Sequence, residues 1–461
     1  MERILQLQGV RERPRGMPPQ TGLLYQPVPF PGFEQLGAER NSSEDRYRFL
    51  RRKVDYRDAR VLDLGCANGF FLFRLAQDGV LSHGRGLDHF KGNIATNALL
   101  ADLHGLSDVL EFEHASIDSD AIQRRLQDDS WDVCHLLSVH HHLVRDVGFE
   151  ETRELIRRLY EGVGTLVLEQ GSLTQAEYEE WTGRDEPFAT HAISRLTSML
   201  EACGIPEERC FIVGMGRYLS GARDDREGAG RILVGCSRRP RTDTIRRILR
   251  KRHRNGIYME IVETGDGEIW KTVVAGASLA AREVRGLETL ADAPGFPRLL
   301  APHEAGADLG CGLVRMRAMT LREVTPEDAE RFGDDLRRQL LERVFALAEH
   351  RLLHNEVNSL HLLLDVDPPA AEGSAKPGRL TLLDLETAYW LDEARDGWRA
   401  EVFEPNPALG VGAYDRDLHE SDDWFLADLL GADRVLGEWG LPPITDDERA
   451  RYLELLGMID V

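Results

Sequence analysis

From Arg60 onward, short runs rich in Leu and β-branched residues alternate with amphipathic stretches whose apolar positions recur at helical spacing. RVLDLG reads as a strand, GFFLFRLAQDG as a helix, GRGLD as a strand, NIATNALLADLHG as a helix, and VLEFEHA and WDVCHLLSV as further strands. ETRELIRRLYEG continues as a helix, and GTLVLEQ, CFIVGMG and GRILVGC complete the series as strands by Cys236. Strand and helix in this alternation predict an α/β domain, a doubly wound sheet with helices on both faces. Ahead of it, residues 1–40 are a Pro-, Gly- and Arg-rich irregular arm, and a first helix is expected over Ser43–Lys53.

The period then changes. The charged, Pro-containing stretch 238–244 predicts a boundary between a first domain at 41–237 and a second at 245–461. RRILRKR, IYMEIVET and EIWKTVV, separated by the turn signals RNG and GDGE, read as a β-meander. A helix is expected from about Ser278 to Ala291, then a strand pair through Met316, then mostly helix.

Composition narrows the classes. A length of 461 residues predicts two or three domains. Lys and Arg number 57 against 79 Asp and Glu, a formal charge of −22, which opposes nucleic acid as a partner and disfavours an anionic membrane surface. Six cysteines without a C-x-x-C pair argue against structural zinc and a disulfide framework, and they predict a reducing, cytoplasmic setting. The N-terminus lacks the apolar core of a signal peptide and no run is long enough for a transmembrane segment. The pattern carries no information on oligomeric state.

The first chemical signal sits where strand VLDLG runs into CANGF and a helix, placing Gly65, Ala67 and Gly69 in a tight loop. Small residues there let backbone amides approach a ligand at the helix N-terminus. Asp88, ending the next strand, is suited to accept both hydroxyls of a ribose. Together they predict nucleotide binding; the plain alternatives are a structural turn and a capping or solvated acid. These residues resemble motif I and its acidic partner in the class I S-adenosylmethionine-dependent methyltransferases, over roughly residues 20–237. The resemblance implies a Rossmann-like domain that binds S-adenosylmethionine. It implies Asp63, Gly65, Ala67 and Gly69 at the methionine end, Asp88 on the ribose, and Ser116, Ile117 and Asp118 beside the adenine.

In LLSVHHHL, His140, His141 and His142 are expected directly after the fourth strand. Three consecutive side chains cannot share one face, so joint chelation of a metal is a poor reading. Contact with the methyl acceptor, above all by His141 and His142, is the expected role, as proton acceptor or as imidazolium holding a phosphate.

A second constellation lies downstream. Lys271 stands mid-strand in EIWKTVV, where a lone lysine would snorkel to water, but Glu283 one helix later can close into an ion pair with it. Glu356, His361 and Asp384 then follow in the order base, metal ligand, metal ligand, with Asp422 as one more acidic helix start. From about 245 to 440 these stretches resemble the protein-kinase-like superfamily, which implies a two-lobed α+β domain using ATP with Mg²⁺ or Mn²⁺. By that resemblance Lys271 bridges phosphates, Glu283 orients it, Glu356 stands at the catalytic base, and His361 and Asp384 hold metal. Glu356 and His361 depart from the family's Asp and Asn, and the basic turn RKRHRNG replaces the glycine-rich loop. A catalytically inactive module binding nucleotide or a partner is therefore the alternative reading.

The order methyltransferase then kinase resembles the bifunctional methyltransferase/kinases that terminate polymannose O-antigen chains, through LLYQP, Arg46, VLDLGCANGFF and SVHHHLV. That resemblance implies Tyr25, Gln26 and Arg46 as cofactor contacts and a role in lipopolysaccharide biosynthesis. It implies a glycan or other small polar acceptor, phosphorylated on a hydroxyl and then methylated on the phosphate. The family continues into a long coiled coil where this chain stops at Val461, so chain-length measuring is not expected. A small-molecule O-methyltransferase with an unrelated C-terminal substrate domain is a third reading.

Overall fold

The computed structural model describes residues 4, 24–33, 43–117, 122, 126, 130–169, 175–182, 193–216, 231–252, 258–274, 277–300, 311–317, 321–354, 357, 359, 362–365, 378–383, 389–391 and 426–458. The chain divides into two compact units, Met1–Ile248 with Thr264–Asp266, and Leu249–Glu263 with Gly267–Val461.

The first unit begins with α1 (Ser43–Lys53), whose early acids Glu44 and Asp45 and terminal Arg51, Arg52 and Lys53 complement the helix dipole. Then follow β1 (Ala59–Leu64), α2 (Phe70–Gln77), β2 (Leu81–Asp88), α3 (Lys91–Leu103), β3 (Leu110–His114) and β4 (Trp131–Leu137). The unit continues through α4 (His140–Val147), α5 (Phe149–Gly162), β5 (Val163–Glu169), α6 (Gln175–Thr182), α7 (Ile193–Ala202), β6 (Cys210–Gly216) and β7 (Arg231–Ser237). Its seven-stranded sheet has the order β3-β2-β1-β4-β5-β7-β6. The first five strands are parallel, while β7 runs antiparallel to both β5 and β6. This is the doubly wound α/β sheet that the alternation predicts.

Burial explains the strand composition. Val61, Leu62 and Leu64 of β1, Val133 and Cys134 of β4, and Leu166 and Val167 of β5 are all buried, as parallel strands covered on both faces must be. The strand order reverses between β1 and β4, which run out to β2 and β3 on one side and β5 on the other. In such sheets the crevice beyond the strand C-termini at this point is where ligands bind.

In the second unit a four-stranded sheet of order β11-β10-β9-β8 is formed by β8 (Ile245–Arg252), β9 (Tyr258–Thr264), β10 (Glu268–Val274) and β11 (Cys311–Arg317). Helix α8 (Ala277–Thr289) sits on β10 and β11, starting and ending slightly ahead of the expected 278–291. β12 (Leu321–Glu323) leads to α9 (Pro326–Glu349), opened by a Thr325–Asp328 capping box with Pro326 at its first position. Short strands follow where mostly helix was expected: β13 (Leu352–Leu353), β14 (Leu362–Asp365), β15 (Arg379–Leu382) and β16 (Tyr389–Trp390). Runs of two to four residues are too short to show a period, which is why the pattern hid them. Helices α10 (Ala427–Glu438) and α11 (Asp446–Leu455) close the unit. One core joins Leu287 of α8 and Leu290 just after it to Leu340, Val344 and Leu347 of α9, with Leu362, Leu380, Leu429 and Tyr452.

Candidate functional site

The loop after β1 has three residues of positive φ in five positions: Gly65 at 73°, Ala67 at 47° and Gly69 at 69°. An added Cβ would lie 2.6 Å from Val139 Cγ2 at Gly65 and 3.0 Å from the Phe112 and Phe73 rings at Gly69, so both positions require glycine. Gly65 and Cys66 both donate their N–H groups to the carbonyl of Leu87, lashing the loop to β2. Ala67 carries a side chain in a conformation that most residues avoid, and neighbouring groups hold it there. Its N–H donates to Asp88 Oδ2 at 2.9 Å and its carbonyl accepts from Asn97 Nδ2 at 2.8 Å. The other Asp88 oxygen accepts from Phe90 N at 2.8 Å, so the carboxylate joins the loop to the end of β2.

Asn68 is a site residue that the motif conceals within its variable positions. Fully buried, it accepts at Oδ1 from the backbone N–H groups of Tyr25 and Gln26 at 3.0 and 3.1 Å, and donates from Nδ2 to Asn93 Oδ1. Gln26 answers by accepting from Phe70 N, the first N–H of α2. Tyr25 and Gln26 are thus brought to the glycine loop. Asn68→Ala would leave two N–H groups without their acceptor and is expected to cost roughly 1–3 kcal/mol. Chemical denaturation should show the loss, and limited proteolysis should show an earlier cut near residue 25.

Asp63, on β1, has one buried oxygen, Oδ2, with no hydrogen-bond partner. Burial first, and the nearby Asp88 carboxylate second, push its acid up to about 7, with Arg46 opposing them. The His135 ring on the adjacent β4 approaches Asp63 Oδ1 to 4.0 Å and exchanges a 2.7 Å hydrogen bond with the Tyr56 hydroxyl. Burial pushes that imidazole down to about 3, so it stands neutral. Neither Tyr56 nor His135 is marked by any sequence motif.

Arg46 points into the same region from α1, but its partner is internal. Its Nη1 donates to Glu169 Oε2 at 2.9 Å, with both side chains almost wholly buried, and its guanidinium lies over the Phe71 ring. Ser138 Oγ also donates to Glu169 Oε2, from a backbone held at φ 59°. Glu169 ends β5 opposite Leu137, at the carboxyl edge of the sheet. It went unnoticed in the sequence because one glutamate at a strand end carries no pattern.

The histidines do not follow directly on the fourth strand as expected. Ser138 and Val139 intervene, and His140, His141 and His142 open α4. A helix turns each successive side chain by about 100°. Accordingly His140 and His141 are buried while His142 is exposed, its ring against that of His141. His140 meets Trp181 edge to face. Ser116 is exposed after β3, and Ile117 reaches toward Gly65. Asp118 lies outside the described residues.

In the second unit, Lys271 of β10 and Glu283 of α8 meet as expected, with Nζ 2.7 Å from Oε2 and the side chains 1% and 2% exposed. Glu356, His361, Asp384 and Asp422 all lie outside the described residues. Among the described residues, an acidic helix start that contacts the segment before Glu356 is Asp428, at the opening of α10. Buried Asp428 accepts from His354 N at 2.6 Å, and His354 Nε2 bonds the carbonyl of Leu383, the residue before Asp384.

With this geometry in hand, residues 56–203 match the family described as methyltransferase domain. A curated relative, the O-antigen chain terminator bifunctional methyltransferase/kinase WbdD of Escherichia coli, is 32% identical over 144 residues, 31% of this chain and 18% of that protein. A second WbdD of Escherichia coli is 31% identical over 143 residues, 31% of this chain and 19% of its own. The matches therefore span about a fifth of the length of these relatives. Among solved structures, a co-crystal of WbdD with the kinase inhibitor LY294002 is 18% identical, with a TM-score of 0.41 and coverage of 94% of this chain and 92% of that one. The N-terminal domain of EvdMO1 with SAH and D-fucose is 15% identical, with a TM-score of 0.35 and coverage of 52% and 95%.

Proposed function

We propose that this chain, an S-adenosylmethionine-dependent methyltransferase by its domain at residues 56–203, methylates a phosphate that its kinase-like second unit places on a glycan hydroxyl. The observation supporting the first half is the loop beyond β1: glycines where a Cβ would collide, a backbone locked by Asp88, and a buried carboxylate oxygen of Asp63 with no hydrogen-bond partner. An orphaned acceptor beside a glycine cradle suits a ligand with a cationic end and a nucleoside end. The residues present fit S-adenosylmethionine. When bound, that cofactor supplies an electrophilic methyl on sulfur, open to in-line attack, so positioning of the acceptor dominates the rate.

The residues of this chain then divide the work. Gly65, Ala67 and Gly69 admit the ligand to the backbone, Asp88 is placed for ribose hydroxyls, Tyr25 and Gln26 border the loop, and Arg46 is the nearby partner for a carboxylate. Ser116, Ile117 and Asp118 flank the base. His141 and His142 open a helix just beyond the carboxyl edge of β4, where the methyl acceptor would meet them. Neutral rings suit removing a proton from a hydroxyl. A phosphate oxyanion needs no base, so against that acceptor they position it by hydrogen bonding.

In the second unit the buried Lys271–Glu283 pair supports a nucleotide site, with Lys271 on the phosphates and Glu356, His361 and Asp384 as base and metal ligands for Mg²⁺ or Mn²⁺. Glutamate and histidine at 356 and 361 favour a second reading, in which this unit binds ATP or a partner without transferring phosphate. Incubating the protein with labelled ATP and a panel of oligosaccharides, with and without each metal, separates the two. Label on a sugar that Asp384→Ala abolishes supports the kinase; metal-dependent ATP binding without any transfer supports the binding module.

A further inference from the structure

Cys210 and Cys236 stand directly opposite each other in the antiparallel register of β6 and β7, with their sulfurs 3.7 Å apart. Opposed residues in such a ladder hold their Cα atoms about 4.5–5.5 Å apart, inside the span of about 4.4–6.8 Å that a disulfide tolerates. Closing the bond therefore asks for side-chain rotation and leaves the strands in place. Both residues are fully buried thiols. Cys66, Cys134 and Cys203, buried too, turn their sulfurs on the carbonyls of Ala67, His135 and Met199.

Location gives the pair its access. β6 is the outermost strand of the sheet order, paired with β7 on one side. Cys210 is its first residue, directly after the 3₁₀ turn Glu207–Arg209, where Pro206 and Glu208 are exposed. Strand ends of this kind open locally far more often than a whole domain unfolds. In the closed strand burial pushes the Cys236 thiol up, so its reaction waits on that opening.

We propose that Cys210 and Cys236 form a reversible dithiol lock that a peroxide closes, stapling the edge of the first unit's sheet. One thiol takes an oxygen from the peroxide, whose O–O bond breaks, giving a sulfenic acid and a first water. The other thiol attacks that sulfur, the S–S bond forms, and the hydroxyl leaves with the attacking thiol's proton as a second water. Each sulfur is thereby oxidised by one electron, and the two peroxide oxygens are reduced. The bond joins positions 26 apart in the chain, so it restrains the unfolded state. It also fixes the strand on which α1 rests: an added Cβ at Gly214 of β6 would lie 2.6 Å from Phe49 Cγ, on the helix that carries Arg46. The lock concerns the fold of this unit and does not depend on the reaction the chain carries out.

The test is treatment of the full chain with hydrogen peroxide at neutral pH, followed by intact mass, non-reducing peptide mapping and thermal melting. Loss of two hydrogens, a peptide linking Cys210 to Cys236, and a rise in melting temperature of roughly 5–10 °C are expected. Dithiothreitol should reverse all three, which separates the lock from methionine oxidation. Cys210→Ala and Cys236→Ala should each abolish the cross-link and the rise. Exposed Met458 reports that the peroxide has acted. Sulfoxide at Met458 with both thiols intact overturns the inference, as does a cross-link to a different cysteine. A Cys210–Cys236 bond without a reversible rise removes the lock.

Discussion

Lys271→Met is expected to destabilise the second unit by roughly 3–5 kcal/mol, because it strands the Glu283 carboxylate in a buried position without its cation. The side chains of the pair are 1% and 2% exposed, so water cannot take the place of the ammonium. The companion variant decides whether the pair or the charge matters. Lys271→Met with Glu283→Leu replaces both ions by apolar groups of similar size, and such exchanges are often close to neutral. The double variant should therefore recover most of the stability while still lacking a phosphate ligand. Urea denaturation of the three proteins measures the first effect, and thermal shift with ATP and Mg²⁺ measures the second. A double variant that is stable but no longer shifted by ATP assigns Lys271 to the nucleotide. Wild-type stability of the single variant would mean that the pair is not buried in solution.

The two halves differ in how much the chain discloses. The parallel sheet was legible because its strands are buried on both faces and its helices on one, so the polarity pattern switches period at every element. Gly65 and Gly69 could be singled out for the same kind of reason, since a loop that must double back against Val139 and Phe112 admits no Cβ. What stayed hidden are groups whose role depends on partners distant in sequence. Glu169 meets Arg46 across 123 residues and Asp428 meets His354 across 74, and no local pattern encodes either distance. The histidine run shows the opposite error. Its composition drew attention, but α4 splits it into two buried rings and one exposed ring, which only the helical phase determines.

Glu169→Ala is expected to cost the first unit roughly 3–5 kcal/mol, since it leaves the Arg46 guanidinium buried without its carboxylate. Among the described residues, the groups left around that guanidinium are weaker partners: Ser43 Oγ at 3.4 Å, the face of Phe71 at 5.2 Å and, without a direct hydrogen bond, the Asp63 carboxyl. Glu169→Gln should cost less, because an amide oxygen can still accept from Nη1 and from Ser138 Oγ. Ligand response then tells a structural clamp from one that also serves binding. A cofactor bringing its own carboxylate to Arg46 would supply the partner that Glu169→Ala lacks, so S-adenosylmethionine should raise the melting temperature of the alanine variant more than that of the wild type. If instead both proteins shift equally, Arg46 keeps to Glu169 and does not reach the ligand. A shift lost only in Glu169→Ala would mean that the carboxylate's task is to hold Arg46 in the one orientation the ligand can use.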